Sequence, residues 1–139
     1  MTQIVNVIKN KKMDNKFYVS FEAARLLKEK GYDRECVAYY QHERFHPYSV
    51  DLFKLSINNK NAAPPYMEQY SAPTKAEAID WLESMGIIIE ASCVRIGENR
   101  KWCNSIINTK TDITIETYYK FSTRLEAEEA AIIKALEML

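Results

Sequence analysis

The chain has 139 residues, of which 47% are hydrophobic and 27% charged, as is typical of one soluble globular domain. Nineteen Lys and Arg balance nineteen Asp and Glu, and a net charge of zero argues against a nucleic-acid partner or an anionic membrane. No apolar run reaches the ~20 residues of a membrane-spanning helix, and the first residues lack a signal-peptide core. Three cysteines without close spacing fit a reducing compartment, so we expect a cytoplasmic protein.

The first predicted element is a helix bracketed by Ser20 and Gly31. Ser is a favoured N-cap and Gly a favoured helix end, and apolar residues between them recur at helical spacing. The apolar run 36–40 predicts a strand, and residues 50–57 predict a second, less regular one. Residues 58–73 contain two consecutive prolines and predict a long loop.

Residues 74–139 have the clearer pattern. Thr74 and Glu77 have the spacing of a capping box and predict a helix over 74–85. Thr123 and Glu126 repeat this spacing and predict a final helix over 123–138. Three strands are predicted between the helices, over 87–96, 102–108 and 113–121.

This order of elements defines an α+β fold. Strands joined by short turns pair antiparallel, and helices cover the apolar face of such a sheet. We expect one domain over 1–139, with an antiparallel sheet of three to five strands and two to three helices packed on one face. The N-terminal unit (1–57) should add its strands to the same sheet, and the loop 58–73 should connect it to the helix–three strands–helix core (74–139).

Two resemblances accompany these patterns. The order of elements in the C-terminal half resembles the double-stranded-RNA-binding domain. That family has a phosphate-bridging lysine cluster at the start of its last helix, where this chain has TRLEAEE, with one Arg and three carboxylates. The segments YVSFEAARLLKEKGY, SAPTKAEAIDWL and STRLEAEEAAIIKALEML are similar to a family of small uncharacterised proteins encoded by prophages and mobile elements of gut-type bacteria. The second resemblance implies a cytosolic bacterial or phage protein and implies no catalytic residues.

The string HERFH at residues 42–46 has the pattern of zinc peptidases. In a helix, His42 and His46 would share one face and bind Zn²⁺, Glu43 would act as general base, and Glu68 could be a third ligand. The pattern needs a helix over 38–47, whereas Pro47 disfavours helical backbone at His46. We therefore predict no enzyme, no cofactor and no metal site. A zinc-dependent hydrolase with His42 and His46 as ligands is the alternative.

Two further sets of residues bear on function. Cys36, Cys93 and Cys103 lie in predicted strands without a neighbouring His, so we expect all three thiols to be buried in the core. The second alternative function is a nucleic-acid-binding module. In this module, basic residues near the start of the chain would contact phosphates, and aromatic residues of the sheet would complete the surface. These basic residues are Lys9, Lys11, Lys12 and Lys16.

Aromatic side chains concentrate between residues 39 and 70. The chain has nine Tyr and five Phe, and seven of these 14 residues lie in this segment. Tyr and Phe are favoured in interfaces, and long loops on a rigid scaffold often carry function. We predict an interaction surface that consists of Tyr48, Phe53, Tyr66 and Tyr70. The alternative is a structural role, in which the aromatic side chains anchor the long loop to the sheet. The sequence thus predicts a small non-enzymatic accessory protein of phage or mobile-element type, which binds another protein or a second copy of itself.

Overall fold

The computed structural model describes residues 15–47 and 59–139. Within these ranges the chain forms three α-helices and two three-stranded antiparallel sheets, which confirms the α+β class. The helices are α1 (Phe21–Glu29), α2 (Lys75–Ser84) and α3 (Arg124–Glu137). The strands are β1 (Tyr39–Gln41), β2 (Arg44–His46), β3 (Gln69–Ser71), β4 (Ile87–Ile96), β5 (Asn99–Asn108) and β6 (Ile113–Phe121). None of the described helices has the length and apolar character needed to cross a membrane.

The C-terminal half forms the predicted helix–three strands–helix unit. Strands β4, β5 and β6 pair antiparallel in chain order, and α2 and α3 both pack against β4. Ile87, Ile89 and Ile106 are buried, and they share one face of the sheet because Ile89 lies opposite Ile106. This alternation gives the sheet one covered face and leaves its far end, beyond the helices, exposed.

The N-terminal strands differ from the prediction, because they do not join the sheet of the C-terminal half. They form a second sheet in the order β2–β1–β3, in which Tyr40 lies opposite both Phe45 and Tyr70. Strand β3 lies inside the predicted loop 58–73, where three residues are too few to display a two-residue period. The predicted strand at 50–57 lies outside the described residues.

Helix α1 packs on α3 and thereby joins the two halves. Val19 and Leu27 belong to the same buried cluster as Ile132 and Leu136 of α3. The hydroxyl of Tyr40 donates to the carbonyl of Val19 at 2.8 Å, so the small sheet is attached to this cluster as well. The core is therefore continuous from the first sheet to the last helix.

The predicted caps are present, with one difference. Thr74 and Glu77 form a complete capping box at the start of α2. The Thr123 hydroxyl accepts the backbone N–H of Glu126, as predicted, but the Glu126 carboxylate accepts the N–H of Ser122 instead of that of Thr123. Both helices thus begin where the sequence places their caps.

Candidate functional site

The HERFH string forms a β-hairpin. His42 and Glu43 make the turn between β1 and β2, and His46 lies on β2, where its ring stacks on Tyr39 with centroids 4.9 Å apart. The helix over 38–47 that the zinc-hydrolase alternative requires is contradicted by this backbone, because the two His lie on a turn and a strand. Within 15–47 and 59–139, no three His, Cys, Asp or Glu side chains are grouped as a metal ion would require.

The structure brings the side chains of His42 and Glu68 into hydrogen-bond contact. Glu68 Oε2 lies 2.7 Å from His42 Nδ1, and the backbone N–H of His42 donates to the Glu68 carbonyl at 3.2 Å. Both residues have positive φ, 55° and 46°, a region that L side chains adopt rarely. Both side chains are largely exposed, so the pair holds the hairpin turn against the end of the loop at the surface.

Pro64, Pro65 and Tyr66 form a solvent-exposed turn, here named the Pro-Pro-Tyr corner. Pro64 has the extended backbone of polyproline, and the following 3₁₀ turn (Pro65–Met67) is closed by the Met67 N–H donating to the Pro64 carbonyl at 2.9 Å. Gln41 Nε2 donates to the Met67 carbonyl at 3.0 Å and ties the turn to β1. Tyr66 is 84% exposed at the outside of this turn.

Asn61 fixes the loop before the corner, and sequence reasoning missed it. Its Nδ2 donates to the Tyr32 carbonyl at 2.8 Å, and its Oδ1 accepts the N–H of Ser71 at 2.8 Å. One amide therefore links the end of α1, the loop and β3. A single Asn in a polar loop has no spacing pattern, so only its long-range partners reveal this role.

A cleft of ≈ 420 Å³ includes Glu68, the residue that ends the 3₁₀ turn of the corner. It is lined by Phe21, His42, Glu43, Glu68 and Tyr70. The rings of Phe21 and Tyr70 meet edge to face with centroids 5.5 Å apart, and the Lys28 ammonium lies 5.0 Å from the centre of the Tyr70 ring. The cleft thus combines aromatic walls with two exposed carboxylates.

The four residues of the predicted surface have different positions. Tyr66 is exposed on the corner, and Tyr70 is half-buried in the wall of the cleft. Tyr48 and Phe53 lie outside the described residues. Of the other aromatics in this region, Tyr40 is buried and Phe45 packs on its ring at 5.3 Å, so these two anchor the small sheet.

The three cysteines differ in burial. Cys36 and Cys103 are buried, as expected, but Cys93 is exposed. The expectation is wrong for Cys93 because it lies on the helix-facing side of β4 but beyond the end of the helix layer. Burial raises the pKa of the Cys36 thiol to about 11, so it stays protonated near neutral pH and is a poor nucleophile.

The N-terminal lysine cluster cannot be placed as a group. Lys16 is exposed, and its backbone carbonyl accepts the ammonium of the buried Lys75 at 2.6 Å. Lys9, Lys11 and Lys12 lie outside the described residues. The phosphate-contacting arm therefore stays a hypothesis.

Comparison with known proteins adds nothing to these contacts. No protein-family model, no curated protein and no solved structure matches this chain.

Proposed function

We propose that this protein is a non-enzymatic accessory protein that binds another protein through the corner surface, defined as Tyr66 together with the cleft lined by Glu68 and Tyr70. The observation that carries this proposal is the exposure of Tyr66 on a turn that is fixed by hydrogen bonds. Tyr buries a large area at low entropic cost and is enriched among the residues that dominate binding energy. The assignment of the protein to the accessory proteins of phage or mobile-element type rests on sequence resemblance.

The rigidity of the corner supports a role in binding. Two prolines, the Asn61 amide and the His42–Glu68 pair all restrict the loop before any partner arrives. A surface that is ordered in advance loses less conformational entropy on association. The half-buried Tyr70 and the cleft that it lines offer a partner side chain a place to insert.

The test begins with a photo-crosslinking amino acid at position 66 in producing cells and the same amino acid at position 113 as a control. Ile113 is 51% exposed on β6 and lies outside the corner surface. We expect a specific adduct from position 66 and none from position 113. An adduct with a second copy of the chain would identify self-association, which sedimentation would confirm.

The partner so identified is then titrated against Tyr66→Ser and Ile113→Ser. We expect Tyr66→Ser to weaken binding at least about tenfold, as for an interface hot spot, with a change in unfolding free energy of less than about 0.5 kcal/mol. Ile113→Ser should leave the Kd unchanged. Equal Kd values for Tyr66→Ser and the unaltered protein would overturn the proposal.

A further inference from the structure

The cleft of the corner surface places two aromatic rings beside two carboxylates. The half-buried rings of Phe21 and Tyr70 meet edge to face, and Glu43 and Glu68 are exposed residues of the same cleft. Aromatic walls pack well against an apolar stem, and carboxylates attract a positively charged donor. A side chain that combines an apolar stem with a positive charge therefore fits this cleft.

The two carboxylates keep acceptors that no residue uses. Glu43 forms no ion pair within residues 15–47 and 59–139. Glu68 holds His42 through Oε2, and its Oε1 has no hydrogen-bond partner among the described residues. An apolar ligand would strip water from these oxygens and leave them unpaired, and an anion would be repelled. Charge complementarity thus selects a cation as the ligand.

Lys28 is a basic neighbour of the cleft and does not neutralise it. Its ammonium lies 5.0 Å from the centre of the Tyr70 ring and donates to the Gln69 carbonyl at 3.0 Å. Two carboxylates and this ammonium leave a net charge of −1 while His42 is neutral. The contact also shows that the ring of Tyr70 accepts a positive charge beside it.

Arg44 is directed away from the cleft by the geometry of its strand. Tyr40 lies opposite both Phe45 and Tyr70, so these three rings share one face of the small sheet, and Phe21 packs on that face. Arg44 precedes Phe45 in β2 and therefore points to the other face. The carboxylates of the cleft are left for a cation from another molecule.

We propose that the cleft binds an arginine side chain of the partner protein. The guanidinium donates to the carboxylates of Glu43 and Glu68, and the rest of the side chain packs against the rings of Phe21 and Tyr70. Arginine fits better than lysine, because its planar group has five donors, is weakly hydrated and stacks on aromatic rings. This inference rests on the proposed protein binding and names the chemistry that the partner presents.

The test titrates the ¹⁵N-labelled full chain with the peptide acetyl-Gly-Ala-Arg-Ala-Gly-amide at about 50 mM salt. We expect the amide signals of His42, Glu43 and Tyr70 to shift. The same peptide with citrulline, which has nearly the shape of arginine without its charge, should bind at least about fivefold more weakly. The peptide with lysine should bind at least about threefold more weakly, because it loses the planar group.

Variants of the protein test the two parts of the cleft. Glu43→Gln/Glu68→Gln should weaken binding of the arginine peptide at least about fivefold. The matched control is Glu90→Gln/Glu116→Gln, which changes the net charge equally at two exposed residues on the face of the β4–β6 sheet away from the helices, and it should leave the Kd unchanged. Phe21→Leu keeps an apolar wall without the ring and should weaken binding about threefold. Circular dichroism identifies a variant that fails to fold, and the citrulline comparison on the unaltered protein then decides.

Three outcomes would overturn the proposal. The first is no shift of the cleft amides with the arginine peptide. The second is equal binding of the citrulline or the lysine peptide. The third is equal weakening by the two double variants, which would reduce the effect to net charge. Tyr66→Ser should not alter peptide binding, so an adduct from position 66 without peptide binding rejects only the arginine site, and peptide binding without an adduct rejects only the contact at Tyr66.

Discussion

Glu129 on α3 connects the last helix to the start of the first one. Its Oε1 accepts the backbone N–H of Ser20 at 3.0 Å, at the N-terminus of α1, where a negative charge is favourable. Its Oε2 is buried and has no hydrogen-bond partner among the described residues. A carboxylate held in this way stabilises the docking of α1 on α3 through one oxygen and loses hydration at the other.

We expect Glu129→Ala to lower the unfolding free energy by about 1–3 kcal/mol, because the Ser20 N–H is left without its acceptor. Glu129→Gln should cost less, since the amide oxygen can still accept this N–H and the group is uncharged. Urea denaturation measures both. The control is Glu137→Ala, an exposed carboxylate of the same helix, and equal effects at 129 and 137 would contradict the assignment.

Buried acidic protons predict how stability depends on alkaline pH. Burial raises the pKa of the Cys36 thiol from 9.0 to about 11 and that of the Tyr40 hydroxyl from 10.0 to about 12. Between these limits the unfolded chain releases protons that the folded chain keeps, so stability is complete below pH 9 and falls as pH rises. A shift of two pKa units corresponds to about 3 kcal/mol for each group, and this loss is complete only above the group's folded-state pKa.

Denaturant titrations at pH 8 to 11 under reducing conditions measure this decline. We expect it to begin near pH 9 in the unaltered protein. In Cys36→Ala it should begin nearer pH 10, where the hydroxyls of Tyr32 and Tyr40 respond, because burial raises the pKa of both above the usual 10.0. If the unfolding free energy had the same pH dependence in both proteins between pH 9 and 10, the Cys36 thiol would not contribute to the decline.

In the bulge of β6, where its pairing with β5 shifts between Trp102 and Asn104, the backbone conformation is unfavourable for the residue that occupies it, Tyr119. Tyr119 has φ +55°, and this region costs an L side chain roughly 1–2 kcal/mol compared with glycine. Its ring is half exposed, so little packing is lost on removing it. We therefore expect Tyr119→Gly to leave the unfolding free energy unchanged or raise it by up to about 1 kcal/mol.

Tyr118→Gly is the matched control, because Tyr118 is equally exposed and has no positive φ. Glycine in an ordinary strand position should lower stability by about 0.5–1 kcal/mol. Thermal unfolding of the two variants gives the comparison. Equal destabilisation at both positions would mean that the backbone of Tyr119 carries no strain.

Elements were predictable from sequence where their signals are local. Thr74 and Thr123 mark their helices, and the alternation over 113–121 gives β6, because caps and periods depend on neighbours in the chain. Strand β3 was missed because its three residues form a strand only by pairing with β1. The bulge was missed because it arises from the register between two strands.

The candidate site divides in the same way. The exposure of Tyr66 follows from two prolines that precede it, which is a local signal. The contact of His42 with Glu68 depends on a hairpin that the HERFH pattern conceals. The helical spacing that the zinc-hydrolase alternative required is absent from residues 42–46, because the aromatic run before them belongs to a strand, as the sequence predicts.

At the scale of the whole molecule, two sheets share one core. Leu27 of α1 and Leu136 of α3 are fully buried in the same cluster, with Trp81 of α2 packed against Tyr32 at 5.4 Å between ring centroids. The helices connect the two sheets within this cluster, because α1 packs on β3 and on α3, while α2 and α3 pack on β4. Such a core should unfold as a unit.

We expect Leu27→Ala and Leu136→Ala each to lower the unfolding free energy by about 2–5 kcal/mol. Each substitution opens a cavity in the buried cluster, and the surrounding side chains relax into it only in part. Hydrogen exchange then reports where stability is lost. Amides of β1 and of β5 should lose protection together in both variants, since global unfolding exposes both sheets. Lys134→Ala, at an exposed position of α3, should change neither. If Leu27→Ala released the amides of β1 while those of β5 kept their protection, the small sheet would be an independent unit that α1 only attaches to the C-terminal half.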